Sequence, residues 1–133
     1  YQDFRTDDRV KDYLTANHEE FMKLCEQVTA NIGLQVRDVE AVGEGCQIIA
    51  FEPQSKWRNA RRMPKMVRYL RVTNVVDEAT IREMHEEMKK QNITRGLLAS
   101  SSGFSRLAEQ FAETRPIDLI GREKLQQLLK RIE

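Results

Sequence analysis

The sequence predicts an α/β fold: a mixed five-stranded sheet flanked by helices on both faces. Two patterns predict it. Three short apolar or alternating runs follow one another between residues 34 and 73, which favours an antiparallel meander. Beyond Asp77, helical and strand-like stretches alternate, which favours parallel crossovers. The size agrees, because 133 residues with 40% hydrophobic content suffice for one core that needs no metal or disulfide.

The elements follow in the order α-β-β-β-α-β-α-β-α. Residues 1–16 are polar and weakly periodic, read as an N-terminal extension or a short helix carrying Val10, Tyr13 and Leu14. Residues 17–133 form the single domain. Asn17 with Glu20 resembles a capping box. Phe21, Leu24, Cys25, Val28 and Ile32 then recur at helical spacing up to a stop at Gly33. Residues 34–42 read as a strand, 43–45 as a glycine turn, and Cys46 to Phe51 as an interior strand. A loop over 53–65, bounded by Pro53 and Pro64, leads to a strand from Met66 to Thr73. On that strand Val67, Tyr69 and Arg71 share one face, and Arg68, Leu70 and Val72 the other. Asp77 caps a helix with Ile81, Met84, His85 and Met88 inward. Thr94 to Ser100 is a strand, Phe104 to Ala112 a helix and Pro116 to Ile120 a strand, and Leu125, Leu128, Leu129 and Ile132 mark the closing helix.

Charge is unevenly spread. Lys56, Arg58, Arg61, Arg62, Lys65, Arg68 and Arg71 fall within sixteen positions that hold no carboxylate, giving +7 there against −6 over the other 117 residues. Local field, more than net charge, attracts a polyanion. Trp57 and Tyr69 add ring faces able to stack on bases. The segment therefore predicts a phosphate or nucleic-acid surface, with a solvated basic loop as the plain alternative.

Other chemistries find little support. No apolar run is long enough to span a bilayer, and no signal-peptide pattern opens the chain. The first residue is Tyr1, as expected of a domain cut from a longer protein. Cys25 and Cys46 suit small buried hydrophobes in a reducing cytoplasm. They share no ligand spacing with His18 or His85, so no metal site is expected from them. Dinucleotide and P-loop glycine patterns and a Gly-x-Ser-x-Gly elbow are missing. Ser100, Ser101 and Ser102 before Gly103 can cap the following helix, or Ser101 and Ser102 can hold a phosphate there.

Leu97-Leu98-Ala99-Ser100-Ser101-Ser102-Gly103-Phe104, then Ala108, Phe111-Ala112, Pro116 to Ile120 and Leu125, resembles the C-terminal half of Mrr-type restriction endonuclease domains. These belong to the PD-(D/E)xK nuclease superfamily. Upstream, Gly33-Leu34 and Gly45 to Ala50 look like the strand bearing that family's metal-binding Asp. Tyr69-Leu70-Arg71 falls where its Gln/Glu-x-Lys sits. The resemblance, over roughly residues 20–132, implies a three-layer restriction-endonuclease-like fold. It also implies an Asp and a Gln or Glu holding Mg²⁺, with a Lys assisting the attacking water.

This chain departs from that pattern at each point. The three positions read Gln47, Tyr69 and Arg71, and Mg²⁺ needs anionic oxygens that an amide and a phenol do not supply. Arg71 keeps a charge for clamping phosphate but is a poor proton shuttle. The expectation is therefore a nuclease fold without metal or other cofactor, with no catalytic residues. It would bind nucleic acid, DNA being the expected form, through Lys56, Trp57, Arg58, Arg61, Arg62, Lys65, Arg68, Arg71, Ser101 and Ser102. Gln47, Tyr69 and Arg71 would line one cleft, with the basic loop at its mouth. A Mg²⁺-dependent endonuclease with relocated acids is the alternative: Glu44 first, then Asp38, Glu40, Glu52, Glu20 or Glu26. A third reading is a module that docks flanking domains or a protein partner. Homodimers are compatible with all three.

Overall fold

The computed structural model describes residues 9–43, 45–52 and 63–132. Helices α1 (Arg9–Thr15) and α2 (His18–Asn31) precede strands β1 (Gln35–Val42), β2 (Gly45–Phe51) and β3 (Pro64–Leu70). Helix α3 (Glu78–Lys90), β4 (Arg95–Ser100), α4 (Arg106–Glu113), β5 (Ile117–Ile120) and α5 (Arg122–Lys130) complete the chain. The sheet order is β1-β2-β3-β4-β5. The first three strands are antiparallel neighbours and β3, β4 and β5 run parallel. Meander and crossovers thus lie where the run of elements placed them. None of the described helices is long and apolar enough to cross a membrane.

Local signals explain most element ends. The Asn17 side chain accepts from the Glu20 amide while Glu20 accepts from the Asn17 amide, so the capping box forms and α2 starts there. Asp77 caps α3 through Thr80 N–H. Of the ends that differ from expectation, two bear on the site. Strand β3 spans Pro64–Leu70 rather than 66–73, because residues 72–76 leave the sheet to meet the serine segment. The cap of α4 is Ser105, not Ser102, and its hydroxyl takes the Ala108 amide.

Alternation along the strands divides the core in two. Cys46, Ile48 and Ala50 of β2, Val67 and Tyr69 of β3, and Leu97 and Ala99 of β4 face α1, α2 and α5. Ile49, Met66, Leu70 and Leu98 face α3 and α4. Cys25 and Cys46 are free thiols buried in the first layer, and burial pushes the Cys25 thiol up. Helix α1 is seated in the same layer. Val10 and Tyr13 are fully buried there, Tyr13 stands edge-on to Phe21 at 5.0 Å, and its hydroxyl donates to the Leu70 carbonyl at 2.8 Å.

Two glycines permit close approach. At Gly96 a Cβ would lie 2.7 Å from the Met88 sulfur, so the missing side chain lets α3 sit down on β4. At Gly45 a Cβ would lie 2.2 Å from the Tyr69 carbonyl oxygen, which is backbone and cannot rotate away. Gly45→Ala is therefore expected to push the start of β2 off β3 and cost roughly 2–3 kcal/mol. Chemical denaturation measures it; a cost below about 0.5 kcal/mol would contradict this packing.

Candidate functional site

The register of β2 against β3 decides what surrounds Gln47. Gln47 pairs with Arg68, and Cys46 with Tyr69. Cross-strand partners point to the same side of a sheet, so Gln47 and Arg68 share the α3 face. Both are 3% exposed. The guanidinium donates from Nε and Nη2 to Gln47 Oε1, and from Nη1 to Glu83 Oε1 on α3 at 2.8 Å. On the other side Gln47 Nε2 donates to Glu40 Oε1 on β1 at 3.3 Å. The result is a polar ladder across three strands and a helix: Glu40, Gln47, Arg68, Glu83. A buried charge is tolerated when it is paired and its donors are satisfied, and Arg68 meets both conditions.

Tyr69 and Arg71 lie elsewhere, which corrects the expected shared cavity. The Tyr69 hydroxyl meets Thr29 Oγ1 at 2.8 Å beneath α2, and burial raises its pKa. Arg71 lies just past the strand on that same side. It donates to the Ala16 carbonyl at 2.6 Å and stacks 4.2 Å over the Phe21 ring, pinning the α1–α2 junction. A Gln/Glu-x-Lys pair that works with Gln47 must share its face, and in this sheet those positions are Arg68 and Leu70. The correspondence therefore moves by one residue. It puts a guanidinium and an aliphatic chain where anionic oxygen and an amine would be needed.

These residues do not fit Mg²⁺. A hard divalent ion takes carboxylate oxygens with few competing cations, whereas here a guanidinium occupies the middle of the ladder between Glu40 and Glu83. Among the described residues no three His, Cys, Asp or Glu side chains converge. Of the relocated acids, Glu20 belongs to the α2 cap and Asp38 pairs with Arg37 in the open. Glu26 is exposed on α2. Glu52 follows the far end of β2. Among the described ones, only Glu40 reaches Gln47. Glu44 lies outside the described residues.

The basic segment is divided by the fold. Lys56, Trp57, Arg58, Arg61 and Arg62 lie outside the described residues. Of the rest, Arg68 is internal and Arg71 is engaged at the helix junction. Lys65 lines a groove of about 550 Å³ between α2 and α5, beside Glu52, Leu97 and Lys124. The strand residues on either side of the basic loop, Phe51 and Pro64, pair at one end of the β2–β3 hairpin. Gln47 is four residues further along, about 13 Å away at strand rise. The loop thus leaves and rejoins the sheet well away from the ladder, rather than beside it.

The serines serve the backbone. Ser101 Oγ donates to the Val72 carbonyl at 2.6 Å and accepts from the Val72 amide at 2.9 Å, imitating a strand pairing with a side chain. Ser102 Oγ donates to the Asn74 carbonyl at 2.6 Å, and its amide is taken by Ser100 Oγ. Ser101 and Ser102 are 2% and 9% exposed, so their hydroxyls hold residues 72–74 rather than present themselves to a phosphate. The segment they hold lines a cleft of about 560 Å³ at the carboxyl end of β3, running from Leu70 to Asp77 and Thr80. Sequence reasoning missed Glu83 as the partner of Arg68. Its only signal was a charge at the exposed flank of α3, which many helix acids share.

The restriction endonuclease model Mrr_cat matches residues 13–129. Among solved structures, the DNA modification-dependent restriction endonuclease AspBHI superposes with a TM-score of 0.68 at 16% identity, covering 96% of this chain and 35% of its own. The MspJI restriction endonuclease, in complex with a 27-mer oligonucleotide, gives 0.61 at 16% identity, covering 96% and 31%. At that identity the likeness is one of fold, and the chain spans about a third of either relative. Among curated proteins none matches.

Proposed function

The chain belongs to the Mrr_cat restriction endonuclease family, and from that premise we propose that it is a nucleic-acid-binding module that has given up metal-dependent cleavage. One observation carries the second half: the Arg68 guanidinium is hydrogen-bonded to Gln47, on the face where a metal site built around Gln47 would need anionic oxygen. The basic segment supports the first half, with Lys56, Arg58, Arg61, Arg62 and Lys65 as its phosphate-binding set. Arg68, Arg71, Ser101 and Ser102 drop out of that set because their polar atoms are engaged inside the fold. The ligand is DNA, by analogy with the relative solved on an oligonucleotide. Contacts to phosphate position a protein without reading sequence, so little base preference is expected from this segment. Two free buried thiols accord with a cytoplasmic location.

Two measurements test the reading together. Supercoiled plasmid incubated with excess protein and Mg²⁺ or Mn²⁺ should stay intact, and nicking abolished by Glu44→Ala would replace this proposal with a relocated active site. Fluorescence anisotropy on a short duplex across a salt series should give a log–log slope of about −3, as three or four phosphate contacts imply. A slope near zero removes nucleic acid as the partner.

A further inference from the structure

We propose that Arg68 stands in for the divalent cation, as a built-in counter-ion that makes this face of the sheet independent of metal. The inference rests on the loss of metal chemistry argued above, not on nucleic-acid binding. Its basis is the ladder's chemistry. Gln47 offers one carbonyl oxygen, the sort of oxygen a hard cation would accept, and that oxygen receives two guanidinium N–H groups. The third contact of the same guanidinium is a carboxylate, Glu83, at 2.8 Å. Glu40 closes the other end through the Gln47 amide nitrogen. A single positive centre therefore organises oxygens from β2 and α3 directly and from β1 at one remove, as a bound ion would.

Arginine suits this role better than lysine. Its charge is delocalised over a planar fork that can engage two acceptors at fixed angles, and it stays protonated throughout the range in which proteins fold. At 3% exposure Arg68 is also out of reach of a phosphate, so its charge acts inward. Remove the guanidinium, and the Gln47 carbonyl and the Glu83 carboxylate are left facing the vacated volume, with Glu40 beyond the Gln47 amide nitrogen. One carboxylate and one carbonyl, with water completing the shell, are oxygens that Mg²⁺ or Mn²⁺ accepts as ligands.

The experiment is thermal unfolding of the full chain without nucleic acid, at matched ionic strength, with EDTA or with 10 mM Mg²⁺ or Mn²⁺. Wild type should show the same Tm in all three. Arg68→Ala should lose roughly 10 °C in EDTA, because the buried Gln47 amide oxygen loses its donor and the arginine's volume is left empty. It should regain about 4 °C in Mn²⁺, the return expected from an ion present at ten times its Kd. Arg68→Ala/Glu83→Gln should regain nothing. If Arg68→Ala is too unstable to purify, Arg68→Gln is read by the same criteria. A wild type whose Tm rises with metal, or Arg68 variants indifferent to it, overturns the proposal. Either result leaves the salt-dependent DNA binding to stand or fall separately.

Discussion

Tyr13→Ala should destabilise the protein by about 3–5 kcal/mol, a large share of the stability of a domain this size. Tyr13 is fully buried between α1 and the sheet, edge-on to Phe21, with its hydroxyl on the Leu70 carbonyl. Truncation opens a cavity the size of a ring, and it leaves that carbonyl without its donor. Tyr13→Phe keeps the ring and removes only the hydrogen bond, so it should cost about 1 kcal/mol. Urea midpoints at constant m-value separate the two effects. A Tyr13→Ala cost under about 1 kcal/mol would mean that α1 is not part of the folded core.

The same residue carries a pH signature. Burial raises the pKa of Tyr13 and Tyr69 above the ordinary phenol value of 10.0. A proton is thus held more tightly in the folded state. The associated stability is complete below pH 10 and is lost as pH rises beyond it. Stability should fall in alkali, and less steeply in Tyr13→Phe, which has one fewer buried phenol to ionise.

The second large effect concerns binding. Arg61→Glu/Arg62→Glu should weaken affinity for a short DNA duplex roughly 100-fold at low salt, about 2.7 kcal/mol. Two favourable contacts are removed and two repulsive charges replace them. The log–log salt slope should become shallower by about 2, because two fewer counter-ions are released. The fold should be untouched, which a matching Tm shows. If affinity is unchanged while Tm holds, the basic segment is a solvated loop, or it serves a protein partner.

Much of the architecture was legible before any coordinates. The Asn17–Glu20 box, the Asp77 cap and the Ile81–Met84–Met88 stripe are local, and local chemistry is written in adjacent residues. The meander and the crossovers followed from the run of elements, since chains rarely cross over themselves. His85 was expected on the inward stripe as a residue of the core's edge, and it lies half-buried there beside Phe111. Charge asymmetry was equally plain, as was the lack of acids at the expected metal positions.

What the sequence by itself determined, then, is the class of fold and most of its order of elements. The tertiary structure alone decided which residues meet. Twelve residues separate β2 from β3, and a connection of that length leaves the register open. A one-residue slip turns every side chain to the opposite face. That slip is the whole difference between a triad of Gln47, Tyr69 and Arg71 and the observed ladder of Glu40, Gln47, Arg68 and Glu83. Burial of Arg68 could be settled only once α3 brought Glu83 across the sheet, because a buried charge is stable only beside the partner that neutralises it.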